Sequence, residues 1–138
     1  MNITEKNLTV KASNESLPEV IAFLDEFLES VDCPVGDIMK LELVTEEIFV
    51  NIANYAYDEG EGNAEITAGF DGSSVSLTFI DSGRQYNPLE KDDPDITLSA
   101  EDRQIGGLGI FLVKKNTDEA EYEYKDGKNI FTVKKKIV

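Results

Sequence analysis

The stretch ELVTEEIFVNIANYAY, residues 42–57, decides how this chain is read. At about 100° per residue, Val44, Ile48, Ile52 and Tyr55, with Leu41 just before them, fall in one apolar helical stripe. Two polar residues share that side. Asn51 lies at the edge of the stripe, and Glu47 sits one turn earlier beside Leu43 and Asn54. Glu46 points the opposite way, toward solvent. The wheel therefore separates two adjacent carboxylates, one inward and one outward. An inward amide oxygen can ligate Mg²⁺, and an inward carboxylate can orient water or accept a proton from a hydroxyl. The same pair also describes a boundary carboxylate reaching solvent and a hydrogen-bonded core amide, which ordinary helices often carry.

Working outward, the helix is predicted to begin near Gly36-Asp37 and to run to about Tyr57. Before it, residues 3–12 alternate loosely as a first strand. Ser16 is placed as N-cap of an earlier helix, with Pro18 and Glu19 in its first turn. Val20, Phe23, Leu24, Phe27 and Leu28 continue that helix at the right spacing until near Cys33-Pro34. After the long helix, Ala64–Phe70 and Val75–Ile80 read as strands joined at Asp71-Gly72-Ser73-Ser74, a hairpin signal. An acidic, poorly periodic segment follows Asp81–Pro88. Gly106–Gly109 then leads into a short helix ending near Asn116. A second hairpin, Ala120–Tyr124 and Ile130–Ile137 around Asp126-Gly127, closes the chain. The order β-α-α-β-β-loop-α-β-β predicts an α+β, two-layer sandwich, with helices on one face of a mostly antiparallel sheet. With no repeat and no linker, residues 1–138 are expected to form a single domain.

Composition narrows the chemistry. The formal net charge is −15, which repels nucleic-acid backbones and anionic lipid surfaces, so neither is an expected partner. There is no histidine, so a general base has to be a carboxylate and Ser–His catalysis is excluded. Cys33 is the single cysteine, which excludes an intramolecular disulfide and a thiolate metal site. With no apolar run long enough to span a bilayer and no signal-like stretch after Met1, the cytoplasm is the expected compartment.

Two glycine motifs follow the helix. Asp81 comes directly after the apolar run Leu77–Ile80 and so sits at a strand end. Gly83 behind it lets the backbone approach a ligand or a neighbour closely. A carboxylate placed there can accept a hydrogen bond from an adenine amino group, and the same residues also describe a plain Asp-Ser-Gly turn. Gly106-Gly107-Leu108-Gly109 opens a helix whose unpaired N–H groups and positive dipole end suit a phosphate. Its spacing is neither that of a P-loop nor that of a dinucleotide fingerprint, and a flexible hinge would use the same glycines.

Taken together, ELVTEEIFVNIANYAY (42–57), DSGRQYNP (81–88) and GGLGIFLV (106–113) resemble the N, G1 and G2 boxes of the GHKL ATPase superfamily. Within it the chain is most similar to the anti-sigma-factor serine-protein kinases of the RsbW and SpoIIAB type, over nearly its whole length. The resemblance implies the Bergerat ATP-binding fold with ATP and Mg²⁺ as cofactors. It implies that Asn51 is the Mg²⁺ ligand and that Glu47 is the catalytic base acting on a substrate serine. By the same resemblance Asp81 receives the adenine amino group, Gly83 shapes the base pocket, and Asn87, Gly106, Gly107, Leu108 and Gly109 complete the nucleotide site. Residues 89–105 correspond to the ATP lid. The lid is acidic (Glu90, Asp92, Asp93, Asp95, Glu101, Asp102), with Arg84, Lys91 and Arg103 as the nearby cations.

Two positions depart from the family pattern. Tyr55 stands where many of these kinases carry histidine, so that contact is not implied here. A threonine is often found near the start of the last strand. Asn129 and Thr132 are its nearest counterparts, and neither is assigned.

The activity implied is an ATP-dependent serine/threonine protein kinase acting as a partner-switching anti-sigma factor. Its implied partners are a STAS-type anti-anti-sigma protein and a sigma factor, and a homodimer is its implied assembly. A nucleotide-gated binding module without phosphoryl transfer is the alternative. A detached histidine-kinase catalytic domain is a third reading, disfavoured by the absence of histidine and of a dimerisation helix pair.

Overall fold

The computed structural model describes residues 4–57, 62–90 and 107–138. Five strands, β1 (Thr4–Lys11), β2 (Asn63–Phe70), β3 (Ser74–Asp81), β4 (Glu119–Lys125) and β5 (Lys128–Lys136), form one sheet in the order β1-β2-β3-β5-β4. Every pairing is antiparallel. Three helices, α1 (Leu17–Ser30), α2 (Val35–Tyr55) and α3 (Gly107–Asn116), complete the α+β architecture. Among the described residues no helix is long and apolar enough to cross a membrane.

Period-two patterning builds the sheet. Ala64, Ile66 and Ala68 of β2, Val75, Leu77 and Phe79 of β3, and Phe131 and Val133 of β5 are buried, and they alternate with less buried residues. The turns set the register. Asp71 Oδ1 accepts from the amides of Ser73 (2.9 Å) and Ser74 (2.7 Å), closing the β2–β3 hairpin. Asp126 and Gly127, with φ of 55° and 77°, form the two-residue turn that matches the twist of β4 and β5.

α2 is the central helix, packed against both α1 and α3. Leu41, Val44, Ile48 and Ile52 are buried as the wheel predicts, but Thr45 and Phe49 are buried too. A helix with neighbours on two sides needs a wider buried arc than one stripe. Tyr55, placed in the stripe by the wheel, is 50% exposed, because it borders an open cavity and not the packed core.

Two boundaries differ from the sequence reading. α1 ends at Ser30, where Asp32 takes a left-handed φ of 56° and the amides of Asp32 and Cys33 turn back to Glu29 O (3.2 Å) and Leu28 O (3.0 Å). Ser16 stands at the N-cap position but makes no side-chain cap. Asn14–Ser16 is already a 3₁₀ turn, so the chain enters α1 helically wound, and Ser16 cannot take the extended conformation that capping needs.

Asp25 of α1 and Glu42 of α2 meet across the helix pair. One Asp25 oxygen is buried with no partner among the described residues. Burial pushes the Glu42 carboxyl above its ordinary value near 4.5, and its hydrogen bond and repulsion with Asp25 push it in the same direction. The folded state therefore holds this proton more tightly than the unfolded chain. That contribution is complete below about pH 4.5 and is lost as pH rises through the raised value. Glu42→Gln keeps an N–H donor for Asp25 at every pH. The variant is expected to melt a few degrees above wild type at pH 7, with the gap closing as pH falls toward 4.5, in thermal melts across that range.

Candidate functional site

The C-terminal half of α2 and the inner face of the sheet enclose a cavity of about 460 Å³. Ile48, Asn51, Ile52 and Tyr55 line it from α2, with Ala56 at the helix end, Phe79 and Asp81 from β3, Tyr122 from β4, Asn129 and Phe131 from β5, and Ile110 from α3. Arg84–Tyr86 and Pro88, in the loop after β3, form the remaining wall. This is a mostly apolar slot with a few convergent polar groups, in the size range of small-molecule sites.

Asp81 is buried because β3 ends on the inner face of the sheet. Its Oδ1 accepts from the Gly83 amide (2.9 Å) and from Asn129 Nδ2 (3.0 Å). The loop beyond it is tied to the C-terminus of α2. The Arg84 amide donates to Ala56 O (2.9 Å), and Arg84 Nε and Nη2 donate to Tyr55 O at 3.2 and 2.9 Å. A cation on the last carbonyls of a helix satisfies groups the helix leaves open and complements its dipole. Arg84, counted above among the cations near the lid, thus directs its guanidinium to the end of α2. The Tyr57 hydroxyl adds a second tie, accepting from the Ser82 amide (2.9 Å) and donating to Asn63 O (2.8 Å).

Among the residues picked out from sequence, Asn51 and Asp81 line the cavity together. Gly83 lies just behind it, where an added Cβ would stand 2.1 Å from Ala56 O. Glu47 does not line the cavity. It is half-buried at the entrance of α3, where a Cβ on Gly109 would stand 2.6 Å from Glu47 Oε2, while Glu46 is exposed. Asn87 does not line the cavity either. Its Oδ1 accepts from the Leu89 amide (2.9 Å) and opens the 3₁₀ turn Pro88–Glu90. Gly107 and Leu108 begin α3. Gly106, and the expected lid from residue 91 onward, lie outside the described residues.

The two counterparts of the late threonine separate cleanly. Asn129 is buried on the inner face opposite Asp81, whereas Thr132 lies on the outer face with its hydroxyl 3.3 Å from that of Thr78. Tyr122 and Phe131 were not picked out from sequence. Their alternation on β4 and β5 marks them as inward-facing, but only the β3–β5 pairing brings them to Asp81. No cluster of three metal-binding side chains occurs among the described residues.

Comparison with known proteins adds a lineage. The family profile described as "Histidine kinase-like ATPase domain" matches residues 10–135. Anti-sigma F factor of Thermoanaerobacter sp. (strain X514) is 24% identical over 127 residues, 92% of this chain and 87% of that protein. Serine/threonine-protein kinase BtrW of Bordetella bronchiseptica is 31% identical over 94 residues, 67% of this chain and 66% of that protein. Among solved structures, the RsbU and RsbW domains of a Mycobacterium tuberculosis protein superpose with a TM-score of 0.68 at 19% identity. That match covers 96% of this chain and 31% of the longer one, and at such identity it concerns the fold.

Proposed function

The chain belongs to the histidine kinase-like ATPase domain family, and from that premise we propose that it is an ATP-dependent serine/threonine protein kinase. In this reading it acts in the cytoplasm as a homodimeric, partner-switching anti-sigma factor. It phosphorylates a STAS-type anti-anti-sigma protein and binds a sigma factor. The observation that carries the reading is the placement of Asp81 and Asn51 on one apolar slot, with Glu47 a single turn from Asn51 at the entrance of α3. Names of relatives such as anti-sigma F factor and BtrW support the choice of reaction and partner.

The donor set fits a nucleotide. Asp81 has one carboxylate oxygen committed to the protein, and Oδ2 has no partner among the described residues, so it suits a base amino group. Ile52, Phe79, Ile110 and Phe131 supply the apolar walls a planar base requires. The amides that open α3 suit phosphate oxygens. Asn51 offers a single neutral oxygen with no carboxylate triad around it, which fits Mg²⁺ carried in on phosphates rather than held by a protein cage. That ion would supply the charge neutralisation that a chain of net charge −15 lacks. Glu47 then accepts the proton of the substrate serine hydroxyl, and positioning supplies most of the remaining catalysis.

Calorimetry with Mg·ATP and radiolabel transfer to the cognate STAS protein test this reading. Asp81→Asn is expected to weaken ATP binding by about 100-fold, because a donor replaces an acceptor at the base. Glu47→Ala is expected to keep ATP affinity within about threefold and to lose more than about 99% of transfer. Wild-type protein that binds ATP yet phosphorylates no cognate partner would reassign the chain to a nucleotide-gated binding module.

A further inference from the structure

Asn129 is one of only three buried polar residues among those described, with Asp81 and Thr45. Its amide is fully engaged. Nδ2 donates to Asp81 Oδ1 (3.0 Å) and to Arg84 O (2.8 Å), with Gly83 O at 3.5 Å. Its Oδ1 accepts from the Tyr86 amide (3.1 Å) and from the Tyr122 hydroxyl. A flipped amide would set its NH₂ against the Tyr86 N–H and its oxygen against two carbonyls and a carboxylate, so this network favours one orientation. The amide therefore performs two tasks. It fastens the loop 83–86 to β5, and it places a neutral donor on one chosen oxygen of Asp81.

That choice has a chemical consequence. Asp81 Oδ1 already holds two donors, Gly83 N and Asn129 Nδ2. Both hold the carboxylate plane in place, so the carboxylate cannot rotate to suit a different ligand. Only Oδ2 remains for whatever enters the cavity, and an acceptor that cannot turn away demands a donor and repels a carbonyl. We propose that Asn129, oriented by Tyr122, is the positioning residue that sets base selectivity in this pocket, making Asp81 a single-oxygen reader of a purine 6-amino group. The inference rests on the nucleotide reading above and goes beyond it by assigning the selectivity to the β4–β5 hairpin.

The test compares ATP with ITP, in which a 6-oxo acceptor replaces the 6-amino donor and N1 changes with it from an acceptor to an N–H donor. Calorimetry on the full chain in Mg²⁺ supplies both affinities, and thermal melts run alongside. Wild type is expected to prefer ATP by about 100-fold, since a site built around one hydrogen bond rejects the analogue that lacks its donor. Asn129→Ala removes one of the two donors on Asp81 Oδ1, leaving the Gly83 amide, and unties the loop, and its preference is expected to fall below about tenfold. Because that variant also removes structural bonds, Tyr122→Phe is the second arm. It deletes the hydroxyl that donates to Asn129 Oδ1, and its preference is expected to drop by about threefold with little change in melting temperature. A purely structural Asn129 would lower the melting temperature and both affinities together and leave the ratio intact. An unchanged ratio in both variants, with wild type binding ATP, overturns this inference alone. A wild-type chain that binds neither nucleotide overturns the nucleotide reading and this inference with it.

Discussion

Gly83→Ala is expected to abolish measurable ATP binding and to lower the melting temperature by roughly 6–15 °C. An added Cβ would stand 2.1 Å from Ala56 O, 2.6 Å from Ala56 C and 2.7 Å from Ala56 Cβ. Two of those atoms are backbone, at the C-cap of α2, which has no rotamer through which to yield. The φ of Gly83 lies outside the left-handed region, so the conflict is steric and not torsional. Relief requires the loop and the end of α2 to separate by roughly 1 Å. That separation breaks the hydrogen bond from the Arg84 amide to Ala56 O and loosens the Arg84 cap on Tyr55 O. It also disturbs the Gly83 amide that orients Asp81. Overpacking and lost hydrogen bonds together cost about 2–4 kcal/mol. Ala56→Gly removes only the 2.7 Å contact and is not expected to rescue the variant. Calorimetry and melts on the single and double variants check this, and near wild-type ATP affinity in Gly83→Ala would contradict it.

Gly109→Ala is expected to separate binding from transfer. Its Cβ would stand 2.6 Å from Glu47 Oε2, 3.6 Å from Cδ and 3.9 Å from Cβ, so the obstructing atom is the far end of a flexible side chain. Glu47 swings aside at little cost, and alanine is a better helix former than glycine even in the first turn of α3, so stability holds or rises slightly. The displaced carboxylate is the group proposed to accept the serine proton. A shift of about 1 Å in such a group costs on the order of 100-fold in rate. The variant should keep ATP affinity within about fivefold, because the new methyl meets the Glu47 side chain and leaves the Gly109 amide in place. In Glu47→Ala the obstruction is gone, so adding Gly109→Ala should cause no further loss of transfer. Wild-type transfer rates in Gly109→Ala would show that the Glu47 position beside α3 is unimportant to the reaction.

The two glycines behave differently for a reason that only the packed structure supplies. In the sequence, Gly83 and Gly109 both belong to short glycine motifs, and both allow close approach of the backbone. Which atom each one meets, a helix carbonyl or a carboxylate tip, depends on how α2 lies against its neighbours. The same limit applies to α2 itself. The wheel placed Glu47 inward and Glu46 outward, as found, but it assumed one packing partner and so missed Phe49 and Thr45. The hairpin at Asp71 was legible because the turn is local chemistry. The adjacency of β3 and β5, separated in sequence by residues 82–127, has no local signature.

What the sequence by itself determined is the element order, the α+β class, the inward side of α2 and the absence of any histidine base. Each of these depends on residue type and on periods of 3.6 or 2, which a chain carries without knowing its neighbours. The tertiary structure alone decided that Asn129 and not Thr132 meets Asp81, that Tyr122 orients that amide, and that Arg84 caps α2. Residues three apart on a strand face opposite ways, so register and pairing across about 48 residues selected between Asn129 and Thr132. That selection is made by long-range burial of the inner face, and it is there that the proposed reader of the base is built.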